Sequence, residues 1–179
     1  MDKIWFTYKS RIRTQQRLQS NDFHSQLLMV WYALLSTFVA VLALKDQKIL
    51  GNDTDMISAL FSIGLLAISL IVTNRDFRGR SIEMRRNYLD LQHLYRQGTA
   101  NPPLLTQKEI DDRYQKLLDA VENHSEIDDK YFRVFQPGLT SRQPKKTVIV
   151  EVYAYIVVRT SGLAFLYAAP LFGLALKAS

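Results

Sequence analysis

Lys9, Arg13 and Arg17 recur every four residues near the start of the chain, a spacing that stacks three cations on one face of a helix. Such a row suits phosphate, either as an anchor in anionic lipid headgroups or as a site for a ligand or nucleic acid. Hydroxyls recur in the apolar sequence that follows: Ser36 and Thr37 in one run, and Ser58, Ser62 and Ser69 in the next. Small side chains let helices approach closely, and hydroxyls also give water a mildly polar wall. The stripes therefore read either as packing surface or as pore lining. Glu151 and Arg159 lie two turns apart on one helical face, with Tyr155 between them, in a third apolar stretch. There a candidate buried charge pair could be satisfied together, toward a bundle interior or water.

Bond-making chemistry has little to work with. The chain has no cysteine, so disulfides, thiolate metal sites and cysteine nucleophiles are excluded. His124 lies near Glu122, Glu126, Asp128 and Asp129. One histidine among scattered carboxylates reads as solvated surface, so no metal and no cofactor is expected. No nucleophile has a supporting base, and 179 residues leave little room for an enzyme. The reading is non-catalytic, with no catalytic residues.

The elements that must position these residues are apolar. Leu27 to Leu44 and Met56 to Thr73 are uncharged runs of 18 residues each, separated by the eleven residues Lys45 to Asp55. At about 1.5 Å per residue each run extends roughly 27 Å, close to the hydrocarbon thickness of a bilayer. The pair predicts a transmembrane helical hairpin over 27–73. Its 26 preceding residues exceed an ordinary signal-peptide n-region, so the first run is read as retained. Net charge is +6 and unevenly placed. Lys3, Lys9, Arg11, Arg13 and Arg17 precede the first run; Arg75, Arg78, Arg80, Arg85, Arg86 and Arg96 follow the second. The loop between carries Asp46, Asp53 and Asp55 with only Lys45 and Lys48. By the positive-inside rule both flanks, and the N-terminus with them, are cytoplasmic.

No proline occurs before Pro102, so residues 1 to 98 read as two long helices joined at the outer loop. Residues 1–26 form a basic amphipathic helix with Ile4, Tyr8 and Ile12 as its apolar line. Met84, Tyr88, Leu91 and Tyr95 repeat at spacings of four, three and four, as do Ile110, Tyr114, Leu117 and Val121. Gly98-Thr-Ala-Asn-Pro-Pro103 stops the first of these helices, and Thr106-Gln-Lys-Glu109 matches a capping box that starts the second. The product is a cytosolic helical hairpin over 74–124. Its seam, Met84, Tyr88, Leu91 and Tyr95, closes either on itself or on a neighbouring protomer. Residues 125–147 read as a short helix end and linker with Pro137-Gly138 and Pro144. The stretch 148–176 reads as a third membrane helix, the alternative being a membrane-adherent segment broken near Ser161-Gly162. The fold class is an all-α membrane protein: a transmembrane hairpin, long cytosolic helical extensions and a C-terminal membrane helix.

This layout resembles the SLATT domain, a two-helix membrane effector of prokaryotic conflict systems. The resemblance rests on the basic approach helix Tyr8-Lys-Ser-Arg11 through Arg17-Leu18, the two runs with their short loop, and Arg85-Arg-Asn-Tyr88-Leu-Asp-Leu91 after the second run, and it covers roughly residues 3 to 124. It implies an oligomeric effector in a bacterial inner membrane that permeabilises or depolarises it when an infection sensor fires. A subfamily with an additional C-terminal apolar region is similar to this chain and is linked to reverse-transcriptase systems of the retron kind, while other members respond to cyclic oligonucleotides. The implied partners are membrane lipid, further copies of the chain, and one of those signalling systems. The competing function is a non-conducting scaffold whose basic cytosolic face recruits a partner. A transporter fits less well, because internal repeats and paired broken helices are missing from the sequence.

Overall fold

The computed structural model describes residues 1–45 and 54–178, with side chains described for these except 45, 55, 57, 60, 61 and 172–178. The expected outer loop lies outside the described residues over 46–53. Among the described residues six helices follow in order: α1 (Asp2–Lys45), α2 (Thr54–Arg75), α3 (Phe77–Thr99), α4 (Gln107–Asp119), α5 (Glu126–Phe135) and α6 (Lys146–Ala178). Among the described residues there is no strand, and the protein is all-α.

The first long helix forms as expected, uninterrupted over Asp2–Lys45. The second does not run on to residue 98. Asp76 takes a left-handed conformation with φ 40°, which ends α2 at Arg75 and lets α3 start at Phe77. Aspartate tolerates that region better than most residues, and the Asp76 amide donates to the Thr73 carbonyl at 3.3 Å. The stretch 125–147 also differs from the linker reading, because it contains α5. Ile127, Tyr131, Phe132 and Phe135 lie at helical spacing there, and Phe132 is buried. Interleaved acids mask this short apolar face in any sequence average. The capping box forms: the Glu109 amide donates to Thr106 Oγ1 at 3.4 Å, and the Thr106 amide donates to Glu109 Oε2 at 2.9 Å. α6 is a single helix through Ser161, Gly162 and Pro170. Its β-branched start, Val148 to Val158, would favour a strand in isolation but is helical here, with Val152 buried.

The chain divides into two units, residues 1–20 with 77–155 and residues 21–76 with 156–179. In the first, α1 supplies Ile4 and Tyr8, α3 supplies Leu91 and Leu94, and α4 supplies Ile110 and Tyr114 to one apolar cluster. The seam residues Met84 and Leu91 are fully buried, while Tyr88 and Tyr95 pack partly buried against the cluster. The seam packs within this unit, where α1 and α4 supply apolar partners.

The second unit holds the apolar lengths. Asp2–Leu44 and Lys146–Leu171 contain windows long and apolar enough to cross a membrane. α2 covers the second uncharged run with 22 residues, and Ile63, Leu66 and Leu70 on it are exposed.

Candidate functional site

In the first unit, the face of α1 buried beyond Ile4 is mostly polar. Thr7, Ser10, Arg11 and Thr14 are buried, and Leu18 closes the layer. Each of these four side chains meets a partner across the unit, as burial without one would be costly, although Arg11 Nε itself makes no hydrogen bond among the described residues. Thr7 Oγ1 and the Tyr114 hydroxyl lie 2.9 Å apart, and Ser10 Oγ donates to Asp129 Oδ1 at 3.0 Å. The Arg11 guanidinium donates to Asn87 Oδ1 and to the carbonyls of Leu117 at 2.9 Å and Leu118 at 3.4 Å. Those carbonyls belong to the last turn of α4, where intrahelical donors have run out and a cation also suits the helix dipole. Burial pulls the Arg11 pKa down, although an arginine stays charged throughout the working range.

The deepest ionic contact joins α1 to α5. Arg17 Nε donates to Asp128 Oδ1 at 2.9 Å and to Oδ2 at 3.1 Å, and Arg17 Nη2 donates to Oδ2 at 2.9 Å. Thr14 Oγ1 and Ser125 Oγ donate to the same Oδ2 at 2.9 Å and 2.6 Å. Burial alone raises the Asp128 pKa, but the hydrogen bonds from Arg17, Ser125 and Thr14 and the Arg17 charge outweigh it and hold the carboxyl below its ordinary range. The reciprocal bond to Asp128 raises Arg17. His124 stands beside this layer with Nδ1 buried and without a hydrogen-bond partner. Burial lowers its pKa; nearby Arg11 adds to this, while Asp129 and Asp128 oppose it.

The three cations picked out by spacing all have partners inside the first unit. Lys9 lies over the rings of Trp5 and Tyr8, 5.7 Å and 5.6 Å from their centroids, and Arg13 lies 3.5 Å from the centroid of Tyr131. Arg17 holds Asp128. Sequence reasoning missed Arg11, Asn87 and Asp128, because only a folded chain brings residues 11, 87 and 117 together. The signal that could have found Arg11 is its place in line with Ile4 and Leu18 at heptad spacing, a cation on a core position.

The second unit has its own polar contacts. Pro170 has no N–H, so the carbonyl of Leu166 loses the donor that the next turn would supply. The Tyr32 hydroxyl donates to that carbonyl at 2.8 Å, and Trp31 Nε1 donates to the neighbouring carbonyl of Tyr167 at 3.2 Å. Two aromatic residues of α1 thus satisfy the carbonyls around the proline of α6, which matters most where no water is present. Arg159 donates to Asn21 Oδ1 at 2.9 Å. Glu151, in the first unit, is exposed and takes Lys130 at 2.7 Å. Each member of the expected Glu151 and Arg159 charge pair thus has a partner on another helix, Lys130 for Glu151 and Asn21 for Arg159. Among the candidate pore or packing hydroxyls, Thr37 donates to the Ala33 carbonyl at 2.9 Å and Ser62 to the Ser58 carbonyl at 3.0 Å. The Ser69 carbonyl accepts from Thr73 at 2.9 Å, and Ser36 and Ser69 are half-buried. Back-bonding of this kind satisfies a hydroxyl proton within its own helix and leaves the oxygen to accept from elsewhere.

A family model described as SMODS and SLOG-associating 2TM effector domain family 5 matches residues 1–176. The chain belongs to the SLATT family. The match takes in the C-terminal apolar stretch, so that stretch is part of the family domain and not an addition to it. SLATT domains are two-transmembrane-helix effectors, which agrees with the two long apolar helices and implies a membrane-associated effector of defence systems. No curated protein and no solved structure matches the chain.

Proposed function

We propose that this SLATT chain is the membrane-acting arm of a bacterial antiphage system, a non-catalytic protein that assembles from several copies into a pore, depolarises the inner membrane and causes abortive infection. The observation that carries the reading is the apolar surface of the second unit. Val30, Leu34, Phe38 and Val41 of α1 form one line at helical spacing, each more than half exposed at 56%, 62%, 57% and 58%. A continuous line of that kind needs lipid or another protein surface over it. One chain supplies too few helices to enclose a channel, so conduction requires several copies. The basic flanks support a cytoplasmic N-terminus, and the length and apolar character of Lys146–Leu171 support α6 as a further spanning helix. A reverse-transcriptase and nucleic-acid sensor, or a cyclic oligonucleotide system, would supply the trigger.

The test is membrane potential in cells carrying the whole native system, with and without residues 27–73 replaced by an inert hairpin of equal length. Depolarisation on triggering with the native hairpin alone supports the pore. An unchanged potential together with capture of a cytosolic partner makes the protein a scaffold.

A further inference from the structure

Many cations of the first unit have partners within it. Lys3, Arg11, Arg13, Arg17, Arg80, Lys130 and Arg133 meet acids, carbonyls or rings within the unit. Arg78, Arg85 and Arg86 of α3 are exposed and enter none of the ion pairs among the described residues. They share one face. At 3.6 residues per turn, Arg78, Ile82, Arg85, Arg86, Leu89, His93 and Arg96 fall within about 100° of arc. The acids of α3, Glu83 and Asp90, lie beyond its edge, and the opposite face carries the buried Met84, Asn87, Leu91 and Leu94. Ile82 and Leu89 stand between the arginines, 46% and 45% exposed. From Arg78 to Arg96 the stripe runs roughly 27 Å along the helix.

We infer that this face of α3 docks on an anionic lipid surface, with Arg78, Arg85 and Arg86 at phosphate and Ile82 and Leu89 entering between headgroups. Alternation of cations with branched aliphatics is the pattern of an interfacial helix, whereas a single-stranded nucleic-acid platform calls for a series of aromatic rings, and this stripe holds one ring, His93, against two aliphatics. A second copy is a poorer occupant, because the exposed face of α4 mixes Lys108, Arg113 and Lys116 with Asp112 and Asp119 and offers no acidic stripe to match. Chain continuity supports lipid as well. α3 begins two residues after α2, whose apolar run ends at Thr73, so Arg78 lies within five residues of that run. The inference rests on membrane insertion of α2 and not on pore formation.

The cysteine-free chain allows single labels. Full-length protein carrying a bimane at Leu89→Cys, at Gln115→Cys on α4, or at Ile63→Cys on α2 is placed in nanodiscs of phosphatidylglycerol or of phosphatidylcholine, with nitroxide lipids as quenchers. The Leu89→Cys label is expected to be quenched by headgroup nitroxide in phosphatidylglycerol, weakly in phosphatidylcholine, while the Gln115→Cys label stays open to aqueous iodide in both. Arg85→Gln should lower the docked-to-free ratio about fivefold, the effect of one cation near an anionic surface. Equal iodide access at Leu89→Cys and Gln115→Cys in phosphatidylglycerol, with Ile63→Cys quenched by acyl-chain nitroxide, overturns the docking and leaves the membrane reading intact. An unquenched Ile63→Cys overturns both. Shielding of Leu89→Cys in lipid-free micelles would assign the face to a second copy and overturn the lipid surface.

Discussion

Replacing Asp128 by Asn should show how strongly the polar layer holds the first unit. The carboxylate accepts three hydrogen bonds from Arg17 and one each from Thr14 and Ser125, and its side chain is 2% exposed against 20% for Arg17. Asparagine keeps the shape but loses the charge and one acceptor. Weakened charge-assisted bonds alone would cost about 1.5 to 3 kcal/mol, and breaking a fully buried pair about 3 to 5 kcal/mol. Because Arg17 keeps some access to water, the expected loss is about 3 kcal/mol. The assay is denaturant unfolding of the full chain in mild detergent, in a Trp31→Phe background. Trp5 is then the sole tryptophan, and it lies edge-on to Phe6, Tyr8 and Phe132 in the first unit. Its near-ultraviolet circular dichroism reports that unit alone. Arg17→Gln with Asp128→Asn should cost less than the sum of the two single changes, because removing both partners leaves no uncompensated charge. A loss below about 1 kcal/mol, or strict additivity, would refute the claim that this pair anchors α1.

Acid should act through the same layer. The folded pKa of Asp128 is depressed, so its stabilisation is present above the unfolded carboxyl value and is lost as pH falls through the folded one. His124 is also depressed; its contribution is complete above the unfolded imidazole value and declines as pH falls through the folded one, so His124→Gln should flatten the stability profile in that window, read by the Trp5 signal. Tyr32→Phe leaves the Leu166 carbonyl without its donor and should weaken detergent-resistant stability by about 1 kcal/mol. Pro170→Ala returns an N–H to that carbonyl, so Tyr32→Phe should then cost little, and an unchanged cost in the double variant would disprove the link. Ser62→Leu should lower single-channel conductance while membrane insertion stays intact; an unchanged current removes Ser62 from the pore wall.

The unbroken first helix, the two uncharged runs, the capping box at Thr106 and the turn at 98–103 were legible in the residues, because each depends on neighbours within a few positions. The same local logic identified the amphipathic lines through Ile4 and Tyr8 and through Ile110 and Tyr114. It missed α5, whose apolar face is short and interrupted by acids, and the break at Asp76, which one backbone dihedral creates. Side-chain partnerships were not legible. Arg17 and Asp128 lie 111 positions apart, Arg11 and Asn87 lie 76 apart, and Tyr32 and the Leu166 carbonyl lie 134 apart. The spacing of Lys9, Arg13 and Arg17 placed three charges on one face but could not say what that face meets. The fold turned it toward Asp128 and aromatic rings, and left the arginines of α3 facing outward. Periodicity along a helix records which side chains share a face; the free energy of a charge depends on what lies opposite that face, and only tertiary structure supplies the opposite side.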